Sequence, residues 1–319
     1  INNVDATRRY QVLKGGNQDV AVKVYSNFLA FSPNNENYFK LQDNDGQRDG
    51  WTIFVPTNDS LTKYINTVVL QQYTSINALP LSIISDLLNA HMWQSTVWPS
   101  KFSSTYNFLG EPAKINNVTD VVDRKVLSNG IFYGTKKVNE PNVFSTVYGK
   151  AYLNPNYSLM TRLLDQELKP IITNPNVKYT MFMVSDAVLA AKGYSYSPGS
   201  NLWSFGATAN DSVRLNLMRM INTGVIETPN NELANLGVTG VNGIAGSYGG
   251  EYIKYDGNKV FSVGSIEKNV SVTIDSVRQV LNGQVAYIND LLYYTYRPIG
   301  STMAVLGTPA ASEFNYFWN

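Results

Sequence analysis

"WTIFVPTNDSL" (residues 51–61) opens like a strand and closes like a helix start. Its first residues alternate with period two, aromatic at both ends, which is strand patterning. Pro56 then breaks the run, and Thr57 or Asn58 offers a side-chain oxygen to an orphan N–H of a following helix. The same sentence recurs as "YTMFMVSDAVL" (179–189). Trp51-Thr52-Ile53-Phe54 aligns with Tyr179-Thr180-Met181-Phe182. Pro56-Thr57-Asn58 aligns with Val184-Ser185-Asp186, where Ser185 or Asp186 caps a helix through Ala187–Ala191.

Three further landmarks recur in the same order. "VYSNFLAFSPN" (24–34) pairs with "VYGKAYLNPN" (147–156). "SDLLNAHMW" (85–93) pairs with "LMRMINTGV" (217–225), Asn89 opposite Asn222. "SNGIFYGTKKV" (128–138) pairs with "LNGQVAYINDL" (281–291), with Asn129-Gly130 opposite Asn282-Gly283. Asn-Gly is a tight-turn signal, because both residues tolerate positive φ. The offset widens along the chain, so the second copy is enlarged by insertion. "GYSYSPGSN" (193–201) reads as a loop, "LGVTGVNGIAGSYGG" (236–250) as a mobile glycine-rich stretch, and "EYIKYDGNKVFSV" (251–263) as a hairpin turning at Asp256-Gly257.

The chain's 319 residues suit two domains. Hydrophobic residues make up 44% and charged residues 15%, ample for two cores. A net charge of +1 gives no electrostatic case for nucleic acid or an anionic membrane. Cysteine is absent, which excludes disulfides and thiolate metal sites. No apolar run reaches the roughly 18 residues that span a bilayer. The chain starts at Ile1 and stops in "FNYFWN", and reads as a piece of something longer. Twenty-one tyrosines suit either half-buried strands or wet binding faces.

The order aromatic-Thr-x-Phe-x-Pro-Thr-Asn, a helix, Leu-Leu-Asn-x-His ending at His91, then Asn-Gly and an apolar strand resembles the fasciclin domain. The resemblance implies an α+β fold of two tandem fasciclin-like domains, each a strand wedge or sandwich packed with several helices. The domains run over 23–145 and 146–305, with a leader at 1–22 and a C-terminal segment at 306–319 that reads as truncated. Thr52, Phe54, Pro56, Thr57, Asn58, His91, Asn129, Gly130, Thr180, Phe182, Ser185, Asp186, Asn282 and Gly283 are then structural. Family members are secreted or surface-anchored adhesion modules. The chain departs from the pattern at Val184, at Ala90 before His91, and after both Asn-Gly turns, so partner-binding motifs of animal members are not carried over intact. The style of 147–158 also resembles fasciclin-like surface lipoproteins of Bacteroidetes, some associated with glycan uptake.

Catalytic chemistry has little to work with. His91 is the single histidine, and no Gly-x-Ser-x-Gly elbow accompanies it. It follows an apolar helix end and precedes Trp93, a packing context. "DGQRDG" (45–50) imitates half a calcium loop but meets Pro56 where the bidentate Glu belongs. Neither a dinucleotide fingerprint nor a Walker loop is present. A glycosidase-type carboxylate pair could hide in scattered Asp and Glu, the least favoured option. Five Asn-x-Ser/Thr sequons, at Asn58, Asn117, Asn156, Asn210 and Asn269, are acceptors only in a secreted eukaryotic setting.

The candidate ligand contacts are aromatics in loops and insertions: Trp93, Trp98, Tyr194, Tyr196, Trp203, Tyr248 and Tyr252. The expectation is a non-enzymatic extracellular or cell-surface protein, without cofactor or metal, binding a surface protein or a glycan. The alternative is a glycan-binding accessory lipoprotein of a bacterial uptake complex on the outer membrane. Any membrane attachment would come through a lipid anchor outside this chain.

Overall fold

The computed structural model describes residues 3–5, 22–24, 28–31, 50–127 and 130–307. Asn129, most of the leader, residues 45–49 of the calcium-loop imitation and residues 308–319 lie outside the described residues. The chain divides into two compact units, Ile1–Ser145 with Tyr152–Pro155, and Thr146–Ala151 with Asn156–Asn319.

The first unit contains β1 (Asn3–Asp5), β2 (Val22–Val24), β3 (Trp51–Pro56), α1 (Asn58–Tyr64), α2 (Leu81–Asn89), β4 (Met92–Trp93), β5 (Val121–Leu127), β6 (Gly130–Thr135) and α3 (Asn142–Ser145). Its main sheet has the order β4-β3-β6-β5, with β3 parallel to β6 and the other pairs antiparallel. Thr57 is the N-cap of α1, its hydroxyl facing the Ser60 N–H, which makes Asn58 the first helical residue and not the cap. A π-helical turn, Ile65–Val69, extends the helix.

The second unit contains α4 (Val147–Tyr152, whose last residue groups with the first unit), α5 (Ser158–Glu167), α6 (Lys169–Ile172), β7 (Tyr179–Val184), α7 (Asp186–Ala191), β8 (Tyr194–Ser197), β9 (Leu202–Phe205), β10 (Thr208–Ala209), α8 (Asp211–Thr223), β11 (Val225–Glu227), β12 (Asn242–Gly246), β13 (Tyr252–Asp256), β14 (Lys259–Ser262), α9 (Val263–Glu267), β15 (Val272–Val280), β16 (Gly283–Ile288) and α10 (Ile299–Gly307). Its large sheet runs β11-β7-β16-β15-β14-β13-β12. The first four strands of that order reproduce the sheet of the first unit.

The reproduction extends to register. Trp51 faces Gly130 across the parallel pair as Tyr179 faces Gly283. Thr52 faces Trp93 as Thr180 faces Ile226. The Phe54 N–H donates to the His91 carbonyl at 3.0 Å, and the Phe182 N–H to that of Gly224 at 2.8 Å. A register shift falls between Val121 and Asp123 in one copy and between Ile274 and Ser276 in the other. The protein is an α+β chain built from two tandem copies of one open-sheet module.

Glycine is required at both parallel-pair starts. Gly130 (φ +152°) and Gly283 (φ +124°) sit where a Cβ would collide with the carbonyl of Trp51 or Tyr179. Next to Gly283, Asn282 is fully buried. Its Oδ1 accepts from the Val147 N–H at 2.8 Å, and its Nδ2 donates to the carbonyls of Ile172 (2.9 Å) and Asn174 (3.0 Å).

The cores differ in filling. In the first unit Phe54 stacks on Tyr133 at 4.9 Å and meets Trp93 and Phe102 at 4.7 and 5.0 Å. In the second, the position of Tyr133 is taken by Ala286 opposite Phe182, and all six residues of β7 are buried. Its alternation is therefore lost, because both faces of this inner strand are covered.

Two stretches, one expected as a loop and one as a mobile glycine-rich segment, contain strands. Residues 194–197 form β8, which pairs with β9, and residues 242–246 of the glycine-rich stretch form the edge strand β12. Each has the small or polar residues of a loop but finds a partner strand, and pairing overrides composition. The expected hairpin is β13–β14, with Asp256 opposite Lys259.

Candidate functional site

A cavity of about 1080 Å³ lies in the second unit. Three segments build it. The first is the β8–β9–β10 sheet inserted between α7 and α8. Tyr194 and Phe205 are cross-strand partners there, rings 4.8 Å apart, and both line the cavity. The second is α8. Asn210 caps it by accepting from the Val213 N–H at 3.2 Å, and Val213, Asn216 and Met220, at helical spacing, present one face to the cavity.

The third is the strap after β16, "DLLYYTYRP" (290–298), which supplies Tyr293, Tyr294 and Tyr296. The strap is fastened to the start of α9. The Tyr293 carbonyl accepts from the Gly264 N–H at 3.0 Å and from the Ser262 hydroxyl at 2.6 Å. Gly264 is needed there because a Cβ would strike the Tyr293 and Tyr294 carbonyls. Asn216 Oδ1 accepts from the hydroxyls of Tyr294 and Tyr296, each at 2.8 Å, and the two hydroxyls touch each other. Arg219 lies 4.1 Å over the Tyr294 ring and is held by Glu251 at 3.0 Å.

Charges in the cavity are mostly paired. Lys192 meets Asp290 at 2.6 Å and Arg297 meets Glu267 at 3.1 Å. Burial, then the charge of Asp290 and its hydrogen bond, push the Tyr293 hydroxyl up to about 12. Burial, then the Tyr296 hydrogen bond, push Tyr294 up as well, so both rings are neutral phenols at physiological pH. Such a surface stacks and hydrogen-bonds.

A polar notch of about 490 Å³ in the same unit is lined by Arg162, Asp165, Gln166, Asn201, Trp203, Asp211 and Arg214. Its two carboxylates are occupied. Asp211 receives two hydrogen bonds from Arg214, which hold its carboxyl below the usual range. Asp165 accepts from the Tyr148 hydroxyl at 2.6 Å. A glycosidase acid needs the opposite, a raised pKa. In the first unit, burial pushes the Glu111 carboxyl up, yet both its oxygens accept from the Asn142 N–H.

His91 is buried and used on both nitrogens. Nδ1 lies 2.7 Å from the Leu87 carbonyl, and Nε2 accepts from the Asn139 N–H at 2.9 Å, which sets the proton on Nδ1. Burial pushes the imidazole below the ordinary histidine value. Among the described residues no group of three or more His, Asp or Glu gathers as a metal site, and no helix is long and apolar enough to cross a membrane.

The aromatic candidates separate. Trp93 is 0% exposed inside the first core, so it is no ligand contact; its two-residue strand packs it on Phe54. Trp203 is 2% exposed, is held against Tyr196 and lines the polar notch. Tyr196 lies under Arg162 at 4.2 Å and donates to Asn201 at 2.6 Å. Tyr194 lines the main cavity. Trp98 (55% exposed), Tyr248 and Tyr252 are open to solvent, away from the described cavities. Asp186, in the first turn of α7 and not its cap, instead takes the Ser158 and Leu159 N–H groups at the start of α5. Phe205, Asn216, Lys268, Tyr293, Tyr294 and Tyr296 escaped the sequence reading. The Tyr-Tyr-x-Tyr cluster after the last landmark was the available signal.

No known protein family and no curated protein matches the chain. Among solved structures, it is similar to a FAS1 domain pair from the insect cell adhesion molecule fasciclin I, at 12% identity and a TM-score of 0.34, covering 77% of this chain and 89% of that one.

Proposed function

We propose that the protein is a non-enzymatic adhesion or ligand-binding protein of the extracellular space or cell surface, built from two fasciclin-like domains, and that the second domain takes the ligand in its tyrosine-lined cavity. The observation that carries this is where the cavity sits. Its walls come from the β8–β10 insertion and from the strap after the last repeated strand, set against the repeated helix α8, and binding functions reside in such insertions and connections on a rigid frame. The repeated motifs of the sequence support the family resemblance. Lys192 and Arg297 are paired with carboxylates and the tyrosines are neutral phenols, which suits a stacking and hydrogen-bonding surface.

The narrower reading is a glycan-binding accessory lipoprotein of a bacterial surface uptake complex, its anchor outside this chain. The tyrosine faces flanked by side-chain amides favour a glycan, since aromatic faces pack on sugar C–H groups while amides meet hydroxyls. Purified protein incubated with a glycan array and with surface-protein extracts tests the proposal. Saturable binding lost in Tyr296→Ala, without turnover of the ligand, is the expected result. Hydrolysis of a bound glycan by pure protein contradicts the non-enzymatic reading.

A further inference from the structure

We infer that the cavity of the second unit is built for an acidic saccharide, a sugar ring carrying a carboxylate; this rests on reading the cavity as the ligand site. Three cations line it, Lys192, Lys268 and Arg297, against one lining carboxylate, Glu267. Glu267 is taken by Arg297 at 3.1 Å, and Lys192 is taken by Asp290 at 2.6 Å. Lys268 has no carboxylate within ion-pair distance among the described residues. Its ammonium instead lies 5.2 Å from the Tyr293 ring, at the wall of the cavity. A cation left over in a partly enclosed, aromatic-walled space is complementary to an anion on the occupant.

The remaining lining specifies the rest of that occupant. Tyr296, 71% exposed, and Tyr293 offer ring faces to an apolar C–H surface. Asn210 and Asn216 use only their Oδ1 atoms internally, so each Nδ2 donates to no described residue and is free for a ligand hydroxyl. Ser212 and Ser301 add hydroxyl groups on the same walls. An occupant with an apolar face, a hydroxyl rim and one anionic group satisfies all three features; a neutral sugar leaves Lys268 unmatched, and an aliphatic acid leaves the amides unmatched.

The test is calorimetric titration of the full chain with glucuronate- and galacturonate-containing oligosaccharides and with their neutral glucose and galactose counterparts. The acidic members should bind about three- to tenfold more tightly, the range of one partly exposed charged contact. Lys268→Gln should remove that preference, and Tyr296→Ala should weaken both classes, with thermal midpoints confirming that both variants fold. Equal affinity for the two classes, or a preference that survives Lys268→Gln, overturns the acidic-saccharide inference alone. So does failure of both classes to bind while a protein ligand binds in a Tyr296-dependent way. Saccharide binding indifferent to Tyr296→Ala overturns the cavity itself as the ligand site.

Discussion

The Asn139 backbone N–H donates to His91 Nε2 at 2.9 Å, closing a bridge that His91 Nδ1 begins at the Leu87 carbonyl. The chain's single histidine thus ties the end of α2 to the segment after β6, and it does so as a neutral ring. Its protonation would place a second N–H against the Asn139 donor.

A pH dependence of stability follows. The folded imidazole titrates below the unfolded value of about 6.5. Between those two values the unfolded chain binds the extra proton, so stability falls as pH falls. This contribution is fully present above about pH 6.5 and is lost as pH drops through the folded pKa. Denaturant midpoints from pH 7.5 to 5 should decline more steeply in the wild type than in His91→Gln. Because there is one histidine, its imidazole resonance is assigned without ambiguity, and a titration midpoint above 6.5 would contradict the bridge.

The parallel-pair glycines yield a second expectation. Gly283→Ala places a Cβ at φ +124° against the Tyr179 carbonyl. The strain and the displaced strand should cost about 2–4 kcal/mol. Gly130→Ala should behave alike in the first copy. Exposed Gly199, which meets nothing nearby, serves as the control, and equal midpoints for Gly199→Ala and Gly283→Ala would refute the close approach.

Buried Asn282 satisfies three backbone groups at once. Asn282→Ala strands the Val147 N–H and the carbonyls of Ile172 and Asn174, a loss of about 2–4 kcal/mol. Asn282→Asp should be no better, since a carboxylate cannot donate to the two carbonyls. Urea unfolding of both variants distinguishes this from a turn role, which Asp would partly preserve.

Phe54 stands at the centre of the aromatic core of the first unit, between Tyr133, Trp93 and Phe102. Phe54→Ala should cost about 3–5 kcal/mol. A folded Phe54→Ala protein with unchanged stability, measured by thermal unfolding, would show that the stretch 51–61 is not core.

Much of this architecture could be read from residues 51–61 and 179–189 and their companion landmarks. The matches of Phe54 with Phe182, Thr57 with Ser185 and Gly130 with Gly283 survive in register because each depends on a local backbone requirement: a strand face, a cap or a close approach. What failed was longer-range. Trp93 looked like a loop residue because its strand is two residues long, and its burial depends on β3 beside it. The sheet formed by 194–209 was invisible because polar Tyr-Ser alternation matches a loop as well as an exposed hairpin. The tyrosine strap escaped because its placement depends on Gly264 and Asn216, distant in sequence from it.

The most direct test of the binding account compares Tyr296→Ala with Trp98→Ala on a glycan array, using the intact chain and matched thermal stability. Both side chains are exposed, but only Tyr296 belongs to the cavity. The account predicts that Tyr296→Ala loses glycan binding while Trp98→Ala retains it. Binding retained by Tyr296→Ala and lost by Trp98→Ala would contradict it.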